Sequence, residues 1–336
     1  ADGTSPATVV SGQSFFYFGT GGGTAAGSQP FVISVPSGVP HGDSARFRLI
    51  LTTTDGMFTD TVRFALVIGY PSPGKIATAN TSALSFEVSD FGQFGFAPGS
   101  IYNLNGNGLR FAGSPNLLYE GGIFVARNDT QVSSALRAGD GSLRPSDFVP
   151  QQELISQFDF QTGGNSLYAR FTDAAAAAPV PVTVDQRITT FDTPQDDKLM
   201  LLRYWLVNPA LSRVTGLTFG FLMDLDFAGG ETVVYDQNES LIYQMSGSTY
   251  IGLVALTHVD RFVELSNGSS KTGFSGAQLL SMLTTGTALG DTTGSSTDRM
   301  MLIGTSPFTL EPLDSTEIAF ALVAGANLSE LYAAVD

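Results

Sequence analysis

Hydrophobic and polar residues alternate in short runs along most of this chain, which is typical of β-strands whose side chains point to two faces in turn. Near the N-terminus, Ala45–Thr53 and Thr59–Ile68 predict two strands of a hairpin, with a turn at Thr54–Gly56. Phe31–Val35 predicts a strand before them, and the aromatic run Phe15–Phe18 predicts a short one. We therefore expect a small β unit of about four strands at this end.

The segment Tyr70-Pro71-Ser72-Pro73-Gly74 predicts a domain boundary, because proline removes donors from a strand ladder and favours an extended connection. The expected domains are residues 1–70 and 75–336. In the second, short apolar runs alternate with Gly/Asn turns such as Asn105–Gly108. Its segment Lys198–Val207 is almost continuously apolar and contains the only Trp, which predicts a central strand covered on both faces.

Two short helices are predicted by capping patterns at their first residues. Ser275 is followed three positions later by Gln278, and Asn327 by Glu330, each before an apolar stretch. With the remainder read as strands, the expected fold is all-β. It consists of a small β unit followed by a larger antiparallel β-sandwich that carries two short helices.

Composition narrows the functional classes. The net charge of −15 disfavours nucleic acid as a partner, since the phosphate backbone would be repelled. No apolar run approaches the ~18 residues that a membrane helix needs, so no membrane span is expected. The absence of Cys fits an exported protein as well as a cytosolic one, and Ala1-Asp2 would suit a mature N-terminus left after signal removal.

One strand carries the best candidates for metal chemistry. In Phe219–Phe227 the odd positions are apolar, so alternation places Asp224 and Asp226 together on the opposite face. They could bind Ca²⁺ or act as an acid/base pair, with further oxygen ligands from Asp196 and Asp197. The set Asp236, Asn238 and Glu239 offers more such oxygens. The alternative interpretation is that these residues are solvated acids at a strand end.

Other motifs do not predict catalysis. The loop Asp291–Asp298 is dense in oxygen donors but lacks the EF-hand spacing, which favours a plain loop. The two histidines, His41 and His258, have no Gly-x-Ser-x-Gly partner, and with no thiolate the chain is a poor candidate for zinc. We predict no catalytic residue and no cofactor other than calcium, and we expect a protein that is not an enzyme.

Several segments of the second domain resemble a non-catalytic β region that lies downstream of the protease domain in secreted bacterial subtilisin-like peptidases and related surface proteins. The resembling segments, within residues 80–334, are Phe191–Lys198, Tyr204–Pro209, Gly220–Asp226, Tyr250–Leu256, Thr272–Phe274, Ile303–Phe308 and Ala319–Gly325. The resemblance implies secretion and a binding or spacer role.

Pro30–Ile68 resembles the final strands of the Ig-like module that usually precedes that region, but the opening strands are absent. An Ig-like sandwich needs about seven strands, so apolar surface would stay uncovered. We expect a neighbouring copy to complete it by strand addition. The expected subunit contacts are the extended residues Ala7, Thr8, Val9 and Val10, with Phe15 and Phe16.

These observations favour a non-enzymatic extracellular structural or interaction protein, a self-assembling surface or filament subunit. A first alternative is an accessory region processed from a secreted subtilisin-like peptidase, as the resemblance implies. A second is a carbohydrate-binding sandwich, with a glycan as partner.

Overall fold

The structure, a computed structural model, describes residues 7–16, 27–36, 44–67, 75–94, 107–137, 146–227, 229–266, 273–285 and 298–336. The chain divides into two compact units, Ala1–Pro73 and Gly74–Asp336. The division falls within the proline-containing segment at residues 70–74, as the sequence predicts. The segment itself lies outside the described residues. Each unit is described by itself below.

The N-terminal unit contains two antiparallel strand pairs. β1 (Thr8–Ser11) pairs with β2 (Val32–Ser34), and β3 (Ser44–Thr52) pairs with β4 (Thr59–Val67). A small cluster of Ala7, Val35, Ala45 and Phe47 is the only apolar core that the described residues of this unit form. The described residues of this unit thus form four strands, three of them at predicted positions and the fourth, β1, in the segment expected to be extended.

The aromatic run does not form the predicted strand in the described residues. Phe16 makes a single antiparallel bridge to Gly27, and Phe15 precedes it outside any strand. Tyr17 and Phe18 lie outside the described residues.

The larger unit is built from two antiparallel sheets. The first has the strand order β19-β20-β15-β9-β7-β6-β5, with β10 on β9, β21 on β15 and β8 on β6. Its strands are β5 (Ile76–Asn80), β6 (Leu84–Ser89), β7 (Gln93–Phe94), β8 (Leu109–Phe111), β9 (Leu118–Asn128), β10 (Gln131–Ser134), β15 (Val214–Leu225), β19 (Arg261–Ser266), β20 (Arg299–Gly304) and β21 (Phe308–Leu310).

The second sheet has the order β11-β12-β13-β14-β22-β18-β17-β16. Its strands are β11 (Val149–Phe158), β12 (Gly163–Thr172), β13 (Thr183–Phe191), β14 (Leu199–Val207), β16 (Thr232–Asp236), β17 (Leu241–Ser246), β18 (Thr249–Thr257) and β22 (Ser315–Gly325). The unit is thus an antiparallel β-sandwich, and the all-β prediction is confirmed.

The main core lies between the two sheets. Phe221 on β15 packs against Phe320 on β22, with ring centroids 4.7 Å apart, and Tyr204 on β14 lies beside Phe219. All four side chains are fully buried. Aromatic side chains bury large apolar areas, and tilted contacts of this kind join the inner faces of the sheets.

Both helices cover outer faces of the sandwich. α1 (Gly276–Thr284) buries Leu279 and Leu283 on the first sheet, and its N-terminus carries the predicted capping box of Ser275 and Gln278. α2 (Leu328–Ala333) buries Leu331 on the second sheet. The side chain of its N-cap residue, Asn327, accepts the backbone N–H of Glu330.

The expectation for β14 is correct in part. The strand is central, and every second residue from Met200 to Leu206 is fully buried in the core. The alternate residues are only half-buried, so the strand is not covered on both faces. Trp205 is one of these outward residues, and the guanidinium of Arg203 lies 4.8 Å from its ring centroid.

Candidate functional site

The acidic cluster of the sandwich begins at the end of β15. The odd positions from Phe219 to Leu225 are buried in the main core, as the alternation predicts. Asp224 therefore points to the other face of the first sheet, and Asp226 follows directly after the strand. Asp224 is only 1% exposed, so the interpretation of both residues as solvated acids is wrong for Asp224.

Antiparallel pairing brings a third carboxylate to this position. β15 pairs with β20 so that Asp224 faces Met300, and Asp298 lies two residues before that position. One carboxylate oxygen from each of Asp224, Asp226 and Asp298 lies within 4.8 Å of the others. Asp298 is the last residue of the oxygen-rich loop seen in the sequence, whose other residues, 291–297, lie outside the described part of the chain.

A buried ion pair borders the cluster on the neighbouring strand. Glu120 on β9 lies opposite Asp224 in the register, and its carboxylate accepts hydrogen bonds from both the backbone N–H and the Nε–H of Arg137. A guanidinium nitrogen of Arg137 lies 3.7 Å from Asp224 Oδ2. One cation thus stands beside two buried carboxylates.

A third buried carboxylate approaches from the other sheet. Glu231, just before β16, accepts the backbone N–H groups of Phe227 and Arg299 and an Nε2–H of Gln244. Gln244 also donates to the carbonyl of Leu225 at the end of β15. These bonds connect the end of β15 to β17 and to the start of β20.

The electrostatics of the cluster follow from burial and crowding. Burial raises the pKa of Asp224 to about 8, and repulsion from Asp298, Asp226 and Glu120 acts in the same direction, while Arg137 opposes it. The pKa of Glu231 is also raised, chiefly by burial. Two changes relieve the repulsion: a proton on Asp224, or a cation shared by the three aspartates. Carboxylate oxygens are ligands that Ca²⁺ prefers.

The structure does not bring Asp196 and Asp197 to this cluster. Asp196 accepts a hydrogen bond from the Thr193 hydroxyl, and Asp197 Oδ2 accepts one from Ser82 at 2.7 Å. Both residues lie in the connection from β13 to β14, and neither belongs to the described group of three aspartates. Their expected role as ligands beside Asp224 is therefore wrong.

The remaining acidic set also lies elsewhere. Asp236 accepts the hydroxyl of Tyr332 at 2.7 Å and the backbone N–H of Asn238, so it joins β16 to α2. Glu239 follows in the same turn. Of the histidines, His258 directly follows β18 with a φ of 56°, and His41 lies outside the described residues.

A second candidate site is an apolar face in the N-terminal unit. The cross-strand register of β3 and β4 places seven apolar side chains on one face. They are Ala45, Phe47, Leu49, Leu51, Val62, Phe64 and Leu66. Only Ala45 and Phe47 are buried, and the last four of the seven are exposed.

The opposite face of the β3–β4 hairpin is basic but not wholly polar, because it also carries Ile50, which is exposed. It carries Arg46, Arg48 and Arg63, and the register sets Arg48 directly across from Arg63. Within the described part of the chain, neither β3 nor β4 has a second neighbouring strand. The hairpin is thus an amphipathic two-stranded sheet with most of its apolar face in solvent, and such a sheet is at best marginally stable alone.

The expected contact residues differ in burial. Ala7 is buried against Phe47, whereas Val9, Val10, Phe15 and Phe16 are exposed. β1 pairs with β2 at only three positions, and the register shifts between Val9 and Ser11. The attachment of β1 within its own chain is therefore slight.

Comparisons with known proteins show no family. No protein family and no curated protein matches the sequence. Solved structures that are similar in part include the Slr1438 protein from Synechocystis sp. PCC 6803, with a TM-score of 0.41 and 8% identity over 78% of this chain and 99% of that chain. A TPR-domain containing protein from Parabacteroides distasonis gives a TM-score of 0.42 and 10% identity over 86% of this chain and 56% of that one.

The heparan sulfate lyase HepC from Pedobacter heparinus gives a TM-score of 0.30 and 9% identity over 52% of this chain and 22% of its own. These likenesses are too weak to carry a functional argument. Among the described residues, no helix has both the length and the apolar character needed to cross a membrane.

Proposed function

We propose that this chain is a non-enzymatic extracellular structural protein whose N-terminal unit joins copies by β-strand addition. The observation that carries the proposal is the exposed apolar face of β3 and β4. Contiguous apolar surface of this kind marks interaction sites in soluble proteins. An unpaired strand edge beside it supplies the backbone groups that an added strand needs.

The partner in this proposal is a second copy, and the donor is the segment containing β1. Its residues Val9 and Val10 are apolar and exposed. It pairs with β2 at only three positions, so its release from its own chain breaks few contacts. Exchange of an identical element between copies is a low-cost route to association. When the donor and acceptor surfaces differ, repeated contacts build an open filament unless the rotation between copies closes a ring.

Removal of the donor tests this proposal. Electron microscopy and light scattering should show filaments of the full chain and dispersed particles of a variant that lacks residues 1–16. A matched variant that lacks only residues 1–6 retains β1 and should still assemble. A full-length chain that stays a monodisperse monomer at high concentration would contradict the proposal.

Glycan binding is a second candidate function. The rings of Phe158 and Phe160 meet edge to face with centroids 5.0 Å apart at the β11–β12 turn, and both are exposed. Exposed aromatic rings offer the stacking surface that sugars need. Binding to a glycan panel that is lost in Phe160→Ala would support this function, and a panel without any binding would discard it.

The accessory-region alternative rests on the sequence resemblance alone. In that case the chain would be a binding or spacer region processed from a secreted subtilisin-like peptidase. A catalytic domain encoded in the same reading frame would support this alternative, and its absence there would favour the structural role.

A further inference from the structure

The outer face of the second sheet carries two rows of polar and aromatic side chains across strands β12, β13, β14 and β22. Directly opposed residues of an antiparallel pair share a face, so the register assigns each row. The alternate residues of β14, such as Tyr204, point to the main core and are buried. The first row is Tyr168, Arg187, Arg203 and Ala319, and the second row is Arg170, Asp185, Trp205 and Glu317.

Each arginine of the two rows forms an ion pair with a carboxylate, at distances from 2.5 to 2.7 Å. The pairs are Arg170–Asp185, Arg187–Asp159 and Arg203–Glu317. Asp159 reaches this face from the β11–β12 turn. Three cations thus meet three anions, so this face has no net charge, although the whole chain has a net charge of −15.

Two aromatic rings lie among these pairs and are held by them. The Arg203 guanidinium is 4.8 Å from the ring centroid of Trp205, and the Tyr168 hydroxyl donates to Asp185 Oδ1 at 3.2 Å. Both rings are half-buried. Strand β13 separates their strands, which places them about 10 Å apart across the sheet. A ligand that contacts both rings is therefore an extended molecule, and the fixed rings lower the entropic cost of binding it.

The balance of charge on this face favours a neutral ligand that is rich in hydroxyl groups. Paired guanidinium and carboxylate groups present donors and acceptors side by side, and a hydroxyl group can serve both. A polyanion would be repelled by the net charge of the chain and would find no unpaired cation in the two rows. A protein partner fits less well, because charged groups are depleted at the centres of protein interfaces, where they must lose water.

We propose that the face between Tyr168 and Trp205 binds a neutral oligosaccharide. The two rings supply apolar surface for the sugar C–H groups, and the ion pairs supply hydrogen bonds to the hydroxyls. This inference rests on the glycan-binding candidate described above and assigns it another site, because Phe158 and Phe160 lie at the β11–β12 turn. It does not depend on strand addition, since no residue of the N-terminal unit takes part.

Trp205 is the only tryptophan of the chain, so its fluorescence reports on this face directly. The full chain is titrated with neutral oligosaccharides of glucose, of mannose and of N-acetylglucosamine, and with an oligogalacturonate as the anionic counterpart. At least one neutral oligosaccharide should change the emission in a saturable way, and the oligogalacturonate should not. An oligogalacturonate that binds as well as the neutral sugars would overturn the assignment of a neutral ligand.

Variants of Tyr168 locate the site. Tyr168→Ala removes one ring and should weaken binding about tenfold, whereas Tyr168→Phe keeps the ring and should retain the affinity. Arg170→Ala alters a side chain that is 44% exposed and should also weaken binding. Phe160→Ala is the matched control at the β11–β12 turn and should bind normally. Circular dichroism of each variant confirms that it is folded.

Three results would overturn this inference and leave strand addition intact. A chain that responds to none of the oligosaccharides would also count against the glycan-binding candidate as a whole. Loss of binding in Phe160→Ala, with unchanged affinity in Tyr168→Ala, would place the glycan site at the turn. A Tyr168→Ala variant with altered sedimentation and unaltered sugar affinity would show that this face contacts protein.

Discussion

Phe47 on β3 and Phe64 on β4 stack directly across the hairpin with ring centroids 5.6 Å apart, yet Phe47 is 7% exposed and Phe64 is 42% exposed. The small apolar cluster of the N-terminal unit thus includes the ring of Phe47 but not the ring of Phe64. The exposed side of Phe64 marks the start of the surface that we assign to a neighbouring copy.

Phe64→Asp should abolish association, because it places a charge in the middle of the proposed contact. Thr61→Asp is the matched control, since Thr61 lies on the same strand and points to the opposite face of the hairpin. Sedimentation velocity at several concentrations measures the effect. Equal association of the two variants would argue against an interface on the apolar face.

Stability in calcium-free buffer should fall as the pH rises between the usual pKa of Asp224, 3.8, and its raised value of about 8. In this window the folded state keeps the proton on Asp224 and the unfolded state loses it, so the folded state binds more protons. A difference of one in pKa between the two states corresponds to about 1.4 kcal/mol of stability. Above a pH of about 8 the stability that comes from the proton on Asp224 is fully lost.

Asp224→Asn should flatten this part of the pH profile and stabilise the protein at pH values near 8, because the amide is neutral in both states. Thermal unfolding across the pH range measures it. An Asn variant with the same slope as the natural sequence would show that another group carries the pH dependence.

Addition of Ca²⁺ at a pH near 8 should raise the melting temperature, because a cation can replace the proton among the three aspartates. Saturation at 100 times the dissociation constant stabilises the folded state by about 2.7 kcal/mol. Asp226→Asn and Asp298→Asn should lose the response. Asp196→Asn, which alters a residue outside the cluster, should retain the response. If Ca²⁺ does not change the melting temperature of the natural sequence, the three aspartates do not form a calcium site.

Arg137→Ala should lower the free energy of unfolding by about 3–5 kcal/mol, because it leaves the buried carboxylate of Glu120 without its cation. Arg213→Ala removes an exposed ion pair with Glu311 and should cost less than about 1 kcal/mol. Urea unfolding of both variants gives the comparison. Similar losses would mean that burial does not set the strength of the Arg137 pair.

Tyr204→Phe should stabilise the protein by about 1 kcal/mol. The Tyr204 hydroxyl is fully buried between the sheets and has no hydrogen-bond partner among the described residues, and burial raises its pKa well above the ordinary value. The ring contacts with Phe219 and Phe320 persist in the variant. A loss of stability would reveal a buried partner for the hydroxyl, such as a water molecule.

The local sequence pattern determined much of the fold. Alternation placed β3 and β4 within one residue at each end, it placed the end of β15 within two residues but its start five residues late, and the capping pair of Ser275 and Gln278 marked the start of α1. These signals are local, since the side chains of a strand or a helix start are positioned by their immediate neighbours in the chain. The same alternation put Asp224 on the face opposite the core.

Tertiary structure alone decided which distant segments meet. Asp298 joins Asp224 only because β20 pairs antiparallel with β15, and Asp196 stays away because its turn lies on the other sheet. The half-buried state of Trp205 was not visible in the sequence. The strand count predicted uncovered apolar surface in the N-terminal unit, but only the structure shows that Phe64 is part of it. Register and layer packing are set by long-range burial, whereas a strand pattern carries only the alternation of its own faces.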